Sequence, residues 1–350
     1  MDIKMQAECE NIFDIVYNLV HDPLLVNRIS PLFYDYYASV FEPDSLRYFL
    51  QQQRLLFGVL ENNGREILEI GCGFGLILIC QSLFGARKCT GIDISKEMID
   101  DFSVLREYFS KYEINAMLGD FLQIEFAKDS FDRIIIKEAI SHIRDTNLLL
   151  DKIRDILRPG GIVYISDENN DLFLPSRLKS RRAWKVSEIG PVPENIAKYG
   201  RNVDKLCFLD ARMEIIKRAF PLIDEEKVKY LSKKTQGLYG DILVRACEEF
   251  IATGKYCAEA SFPYRNPYTG EFPELGISPF KLAKELRIRG FRSFFMPPFY
   301  SYLGPAPGYP RWKDVAAKIS RIIFRFPERI FPFISPKFQL IAKKLSKVKS

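Results

Sequence analysis

Apolar positions recur at two different periods along this chain, and the change of period marks out its parts. Between Asp44 and Leu60 they fall at Leu46, Phe49, Leu50, Leu55, Leu56, Val59 and Leu60. That spacing is close to helical and predicts a helix with Asp44 as its N-cap. Residues 1–63 as a whole read as a helical segment punctuated by Pro23, Pro31 and Pro43, and Asn62-Asn63-Gly64 closes it with a turn.

From Arg65 the pattern alternates between short apolar runs and longer amphipathic ones. Glu66–Ile70 predicts a strand, followed by the turn Gly71-Cys72-Gly73-Phe74-Gly75 and a buried helix over Leu76–Phe84. Cys89–Ile92 predicts a second strand, and Ser95 caps a helix with Met98, Ile99, Phe102, Leu105 and Phe109 inward. Ile114–Leu118 and Phe131–Ile136 predict the third and fourth strands. Asp145 or Thr146 caps a helix ending at Arg158, before Pro159-Gly160-Gly161 and a fifth strand at Ile162–Ser166. Residues 171–276 break this rhythm with Pro, Tyr and charge, and predict an irregular, partly helical insertion. It returns with a helix at Ser278–Arg289 and strands at Phe291–Met296 and Phe338–Lys343, with residues 297–337 as an excursion between them. Alternation of this kind predicts an α/β fold: a doubly wound, mainly parallel, seven-stranded sheet covered on both faces, with a large insertion after the fifth strand.

Composition narrows the class. The chain has 350 residues, of which 47% are apolar and 27% charged, enough to bury a real core and unlike a disordered chain. No apolar stretch reaches the ~18–20 residues of a membrane span. The first residues carry acids and lack an apolar core, unlike a secretory signal. The seven cysteines form no C-x-x-C pair, which argues against a zinc knuckle or a disulfide framework. A reduced, cytoplasmic protein is expected. The net charge of +6 is local: residues 311–350 carry eleven Lys or Arg against two acids, while the remainder is slightly acidic.

The chemistry centres on residues 69–120. A strand that runs into a glycine-rich turn and a helix lets backbone approach a ligand. Asp93, 22 residues after Gly71 at the end of the second strand, can accept both hydroxyls of a ribose. A dinucleotide fingerprint would need its third glycine at position 76, which is Leu; the glycine stands at 75 instead.

The motif Glu69-Ile-Gly71-Cys-Gly73-Phe-Gly75 resembles the first motif of class I S-adenosylmethionine-dependent methyltransferases. Further matches follow in order: Gly91-Ile92-Asp93-Ile94, Gly119-Asp120-Phe121, Phe131-Asp132-Arg133-Ile134, and Leu157-Arg158-Pro159-Gly160-Gly161. The resemblance covers about residues 64–170 and the two closing strands, and implies a Rossmann-like methyltransferase fold with S-adenosyl-L-methionine as cofactor. By that resemblance Glu69, Gly71, Gly73 and Gly75 hold the methionine end and Asp93 the ribose diol, with Ile94 packing on the adenine. Asp120 faces the adenine amino group with Phe121 beside it, and Lys137 and Glu138 line the site near the sulfonium.

The resemblance implies methyl transfer, to a hydroxyl first and to nitrogen or carbon as alternatives, on a small-molecule or lipid- or glycan-linked acceptor covered by residues 171–276. His142 lies where many small-molecule members place a histidine facing the acceptor. It is either a general base or a residue that caps or packs the next helix. The segment is similar to the ubiquinone-pathway O-methyltransferases, whose Glu-x-x-Glu-His holds a divalent cation. Here Ser141 replaces the second Glu, so no metal is expected. The run Pro175–Lys185 carries five basic residues and no acid, and reads either as an anchor for an acceptor phosphate or as a solvated helix face. Arg311–Ile334 mixes basic and aromatic residues, fitting a membrane interface or a covering helix equally. Asn266-Pro267-Tyr268 reads as a turn, and no nucleic-acid surface is evident. The competing functions are an NAD-dependent oxidoreductase, disfavoured by Leu76, and a catalytically idle cofactor-binding scaffold at a membrane surface.

Overall fold

The computed structural model describes residues 3–190, 207–255, 260, 263–270, 276–297, 303 and 331–346. The chain divides into two compact units, one of Met1–Phe173 with Ile277–Ser350 and one of Leu174–Gly276.

The larger unit opens with four helices, α1 (Ile3–Val20), α2 (Pro23–Val26), α3 (Pro31–Tyr37) and α4 (Pro43–Val59). Proline starts three of them, where its fixed φ and missing N–H cost nothing. For α4 this corrects the expected cap: Glu42 holds the cap position, and Asp44 lies inside the first turn, 3.7 Å from Arg47. Helices α1 and α4 pack together, with the Arg47 guanidinium 4.0 Å from the centre of the Phe13 ring.

The seven strands are β1 (Glu66–Ile70), β2 (Lys88–Asp93), β3 (Glu113–Leu118), β4 (Phe131–Lys137), β5 (Leu157–Glu168), β6 (Phe291–Phe295) and β7 (Lys337–Lys344). Their spatial order is β3-β2-β1-β4-β5-β7-β6. The first five run parallel, and β7 enters antiparallel between β5 and β6. Interleaved with them are α5 (Leu76–Leu83), α6 (Lys96–Glu107) and α7 (Thr146–Ile156). The side chains of Ser95 and Asp145 accept the N–H groups of Met98 and Leu148 and so start the last two of these helices. Consecutive Ile134, Ile135 and Ile136 are all fully buried, as a strand covered on both faces requires. This is a Rossmann-like, doubly wound architecture.

The end of α7 differs from expectation. The helix stops at Ile156 and β5 begins at once, so Pro159-Gly160-Gly161 is an irregularity inside the strand. Arg158 pins it, at 2.6 Å from Glu66 and 3.0 Å from Asp132. A Cβ on Gly161 would lie 2.8 Å from the Arg158 carbonyl, which leaves glycine as the residue that fits.

In the second unit lie α8 (Leu174–Ile189), α9 (Phe208–Ala219), α10 (Glu225–Lys234) and α11 (Gly240–Thr253). Their core is Ile216, Val228, Leu231, Leu238, Leu243, Ala246 and Cys247. A charge lies against it. Arg212 is fully buried, pairs with buried Glu188, and donates from Nε to the Ser232 carbonyl at 2.7 Å. The unit-1 chain resumes with α12 (Pro279–Ile288) and, before β7, the single turn α13 (Phe331–Ile334). The rest of the excursion proposed as a membrane contact, residues 311–330, lies outside the described residues. No described helix is long and apolar enough to cross a membrane.

Breaking the buried pair tests this second core. Arg212→Met leaves Glu188 charged and unpaired and should cost about 3–5 kcal/mol. The double variant Arg212→Met/Glu188→Leu should recover most of that loss in chemical denaturation.

Candidate functional site

Strand β1 is the centre of the sheet, bonded on one side to β2 and on the other to β4. Successive connections leave it in opposite directions, so a crevice opens at the carboxyl ends of β1 and β4. The glycine turn 71–75 forms one wall. Gly71, Gly73 and Gly75 all have left-handed φ, at 73°, 52° and 71°. Two of them are also held to glycine by space. A Cβ on Gly71 would meet the Ala139 side chain at 2.4 Å, and one on Gly75 would enter the Phe102 ring at 2.2 Å.

The turn's own N–H groups are largely spent inside the protein. Those of Gly71 and Cys72 donate to the Ile92 carbonyl and that of Gly75 to the Cys72 carbonyl. Gly73 donates to Asp93 Oδ2 at 2.8 Å. The glycines therefore act here chiefly by making room.

Asp93 fastens this wall to β2. Its other oxygen accepts from the Ser95 N–H at 2.9 Å, and the side chain stays half-buried with an open side. Next to it Ile94 is 74% exposed. The Gly119 N–H donates to the Asp93 carbonyl at 2.9 Å, which ties the ends of β2 and β3 and brings Asp120 to the same rim. Asp120 is exposed and accepts the Leu122 N–H in a tight turn. That turn sends Phe121 inward. It is 3% exposed, stacks on Phe126 and sits 5.1 Å beneath the Lys152 ammonium. Phe121, expected beside the adenine, is buried directly behind the Asp120 rim.

Glu69 lies at the floor. It is 1% exposed, and its Oε2 has no hydrogen-bond partner among the described residues. Burial pushes its carboxyl up to about 8; Lys137 opposes the shift and Asp93 adds to it. Lys137 on β4 is held below its ordinary value by burial, against the pull of Glu138 and Glu69. Its ammonium lies 5.8 Å from the Phe49 ring of α4.

Glu138 follows β4 in a left-handed conformation, φ 56°, rare for a residue with a side chain. Its N–H donates to the Ser166 carbonyl at 2.7 Å, and its Oε1 accepts from Lys337 Nζ at 2.6 Å. Burial alone would raise this carboxyl, but the Lys337 and Lys137 ammonium groups outweigh it and hold it below its usual value.

Three participants were not legible from local pattern. Tyr36 and Tyr37 of α3 bring their rings to 5.6 and 5.8 Å from Phe74 in the glycine turn. The Tyr36 phenol is raised first by desolvation, then by the charges of Glu138, Asp93 and Glu69, with Lys337 opposing. It therefore belongs to the same crevice. Lys337 arrives from β7, 199 residues beyond its partner Glu138.

His142 closes a single 3-10 turn, Ile140–His142, and its side chain is exposed. The turn is anchored by Asp167 of β5, which accepts the Ser141 N–H at 3.0 Å and its hydroxyl at 3.3 Å. Burial raises the Asp167 carboxyl, while its bonds from Ser141 and Glu168 and the nearby His142 lower it in part. Ser141, at the second-ligand position of the metal-binding pattern, is thus committed to Asp167. In the second unit, Asn266 Oδ1 accepts the Tyr268 N–H at 2.9 Å, a side-chain-capped turn.

Residues 68–165 match the family described as Methyltransferase domain. N-methyltransferase 4 of Papaver somniferum is 29% identical over 181 residues, covering 49% of this chain and 48% of its own. Phosphoethanolamine N-methyltransferase 1 of Arabidopsis thaliana is 27% identical over 192 residues, 51% of this chain and 38% of its own. O-methyltransferase resE of Aspergillus sclerotiorum is 26% identical over 188 residues, 51% of this chain and 66% of its own. The chain spans about half the length of the first of these relatives and less of the second.

The Glu138–Lys337 pair yields a pH test. A carboxyl held below its ordinary value contributes stability that is present above its unfolded pKa and is lost as pH falls through the lower folded one. Lys337→Met should raise the Glu138 pKa, so that the loss begins at higher pH. The pair is over two-fifths exposed, so the stability change near neutrality should stay under ~1 kcal/mol. Carbon-detected titration of the Glu138 carboxyl checks this, and an unchanged titration contradicts it.

Proposed function

From the premise that this chain carries a class I S-adenosylmethionine-dependent methyltransferase domain, we propose that it methylates a hydroxyl of a small-molecule or lipid- or glycan-linked acceptor. The observation that carries the reading is Glu69, a buried carboxyl with one oxygen left without a partner at the foot of a glycine turn. Such an oxygen is completed by a ligand cation, and the amino group of a methionine end is one.

The remaining residues fit the rest of that ligand. Asp93 would take the ribose diol on its open side, and exposed Ile94 would pack on the adenine. Asp120 at the same rim would accept from the adenine amino group. Lys137 and Glu138 would line the crevice where the sulfonium lies. When bound, S-adenosylmethionine supplies an electrophilic methyl group. The chain's own part is alignment, exclusion of water by Tyr36 and Tyr37, and removal of the acceptor's proton. His142 would take that proton on a ring nitrogen as the acceptor oxygen forms its new bond to carbon. Relatives that methylate nitrogen make an amine the second reading for the acceptor.

Two measurements test this. Glu69 must ionise to hold an ammonium, so binding near pH 7, about a unit below its raised pKa of about 8, should release close to one proton per cofactor. Calorimetry in buffers of different ionisation enthalpy reads that release, and NAD serves as the control ligand. Glu69→Gln should abolish the release and weaken binding by about tenfold or more; binding of NAD alone would replace the assignment.

Separately, His142→Ala should leave cofactor affinity intact and lower turnover by roughly a hundredfold. Turnover is followed by transfer of labelled methyl to extract fractions. Unchanged turnover removes His142 as the base, and label confined to amines moves the acceptor from oxygen to nitrogen.

A further inference from the structure

Helix α8 faces outward the wrong way for an ordinary surface helix. Its buried side is small and polar: Ser176, Ser187 and Glu188, the last committed to Arg212. Trp184 flanks that side and stacks on Tyr264 at 5.8 Å. Three of its apolar residues point to solvent instead. Leu174 is 51% exposed, and Leu178 and Ile189 are each 57% exposed.

At the helical repeat these three fall within a stripe about 60° wide, with Lys185 inside it. Arg181 borders the stripe on one side, and Arg182 and Lys179 on the other. All four cations are exposed, and none forms an ion pair among the described residues. The helix's single acid, Glu188, is on the buried side. A globular helix normally shows the opposite arrangement, with its apolar stripe against the core.

We infer that this face of α8 docks on an anionic lipid surface. The occupant follows from the combination of side chains. Four exposed cations complement a negative surface, and their aliphatic stems let the charges reach headgroups while the stripe lies lower. The two leucines and the isoleucine would contribute nothing to a bare phosphate or a soluble polyanion, but they gain free energy at an acyl boundary. The inference does not depend on the methyl-transfer reading.

The test uses the full chain and vesicle flotation. Wild type should float with vesicles containing about 30% phosphatidylglycerol, stay behind with pure phosphatidylcholine, and dissociate as salt rises. Arg181→Gln/Arg182→Gln/Lys185→Gln should lower the bound fraction about tenfold or more. Leu178→Gln/Ile189→Gln should lower it several-fold at unchanged charge. All of these positions are exposed, so circular dichroism melts and cofactor affinity should match wild type. Three results would overturn the inference: no binding of wild type to anionic vesicles, undiminished binding of the charge variant, which would place the contact elsewhere, or undiminished binding of the Leu178/Ile189 variant, which would leave a plain polyanion site.

Discussion

The site rests on a carboxyl kept where a carboxylate is expensive. Glu69 belongs to the central strand of the sheet, its register partner on β4 is Ile135, and water reaches 1% of it. Lys137 stands two residues beyond Ile135 and therefore on the same face. Two opposite charges on adjacent strands attract, yet desolvation opposes both, and the Glu69 carboxyl stays far above its ordinary value. A buried acid of this kind persists where a further positive group completes it. The proposed preference of the crevice for a cationic ligand starts from this carboxyl.

Around that acid the backbone departs from regular geometry in a tight cluster. Three glycines on one wall and Glu138 on the other adopt left-handed φ, and Gly71 meets Ala139 where the walls touch. The Glu138 conformation costs free energy that neighbouring contacts must offset, and two are in place: the bond to Ser166 and the ion pair to Lys337. Asp93 has two tasks. Its oxygens hold the glycine turn and the start of α6 in place, and the same carboxylate is the candidate for the ribose. A substitution there would disturb the wall as well as the ligand.

The second unit follows another logic. Its core accommodates a buried ion pair, Arg212 with Glu188, and α8 is attached through that pair, small polar residues and the stack of Trp184 on Tyr264. A helix secured by its polar side is left free to present apolar and cationic groups to solvent. The same arrangement explains why the apolar periodicity of residues 174–189 gives a poor guide to which side is buried.

The sequence alone was enough for the alternation of strands and helices and the position of the glycine turn. It also sufficed for the order of Glu69, Asp93 and Asp120 along the chain, because hydrophobic period, glycine placement and capping residues such as Ser95 are local signals. It did not show which way a turn points: Phe121 is buried because the Asp120 turn directs it inward. It placed the α4 cap at Asp44 instead of at Glu42, because Pro43 starts that helix without a side-chain cap. Tyr36, Tyr37 and Lys337 escaped it altogether. They reach the crevice through contacts between elements far apart in the chain, and only the closing of the sheet by an antiparallel β7 brings a lysine at 337 to a glutamate at 138.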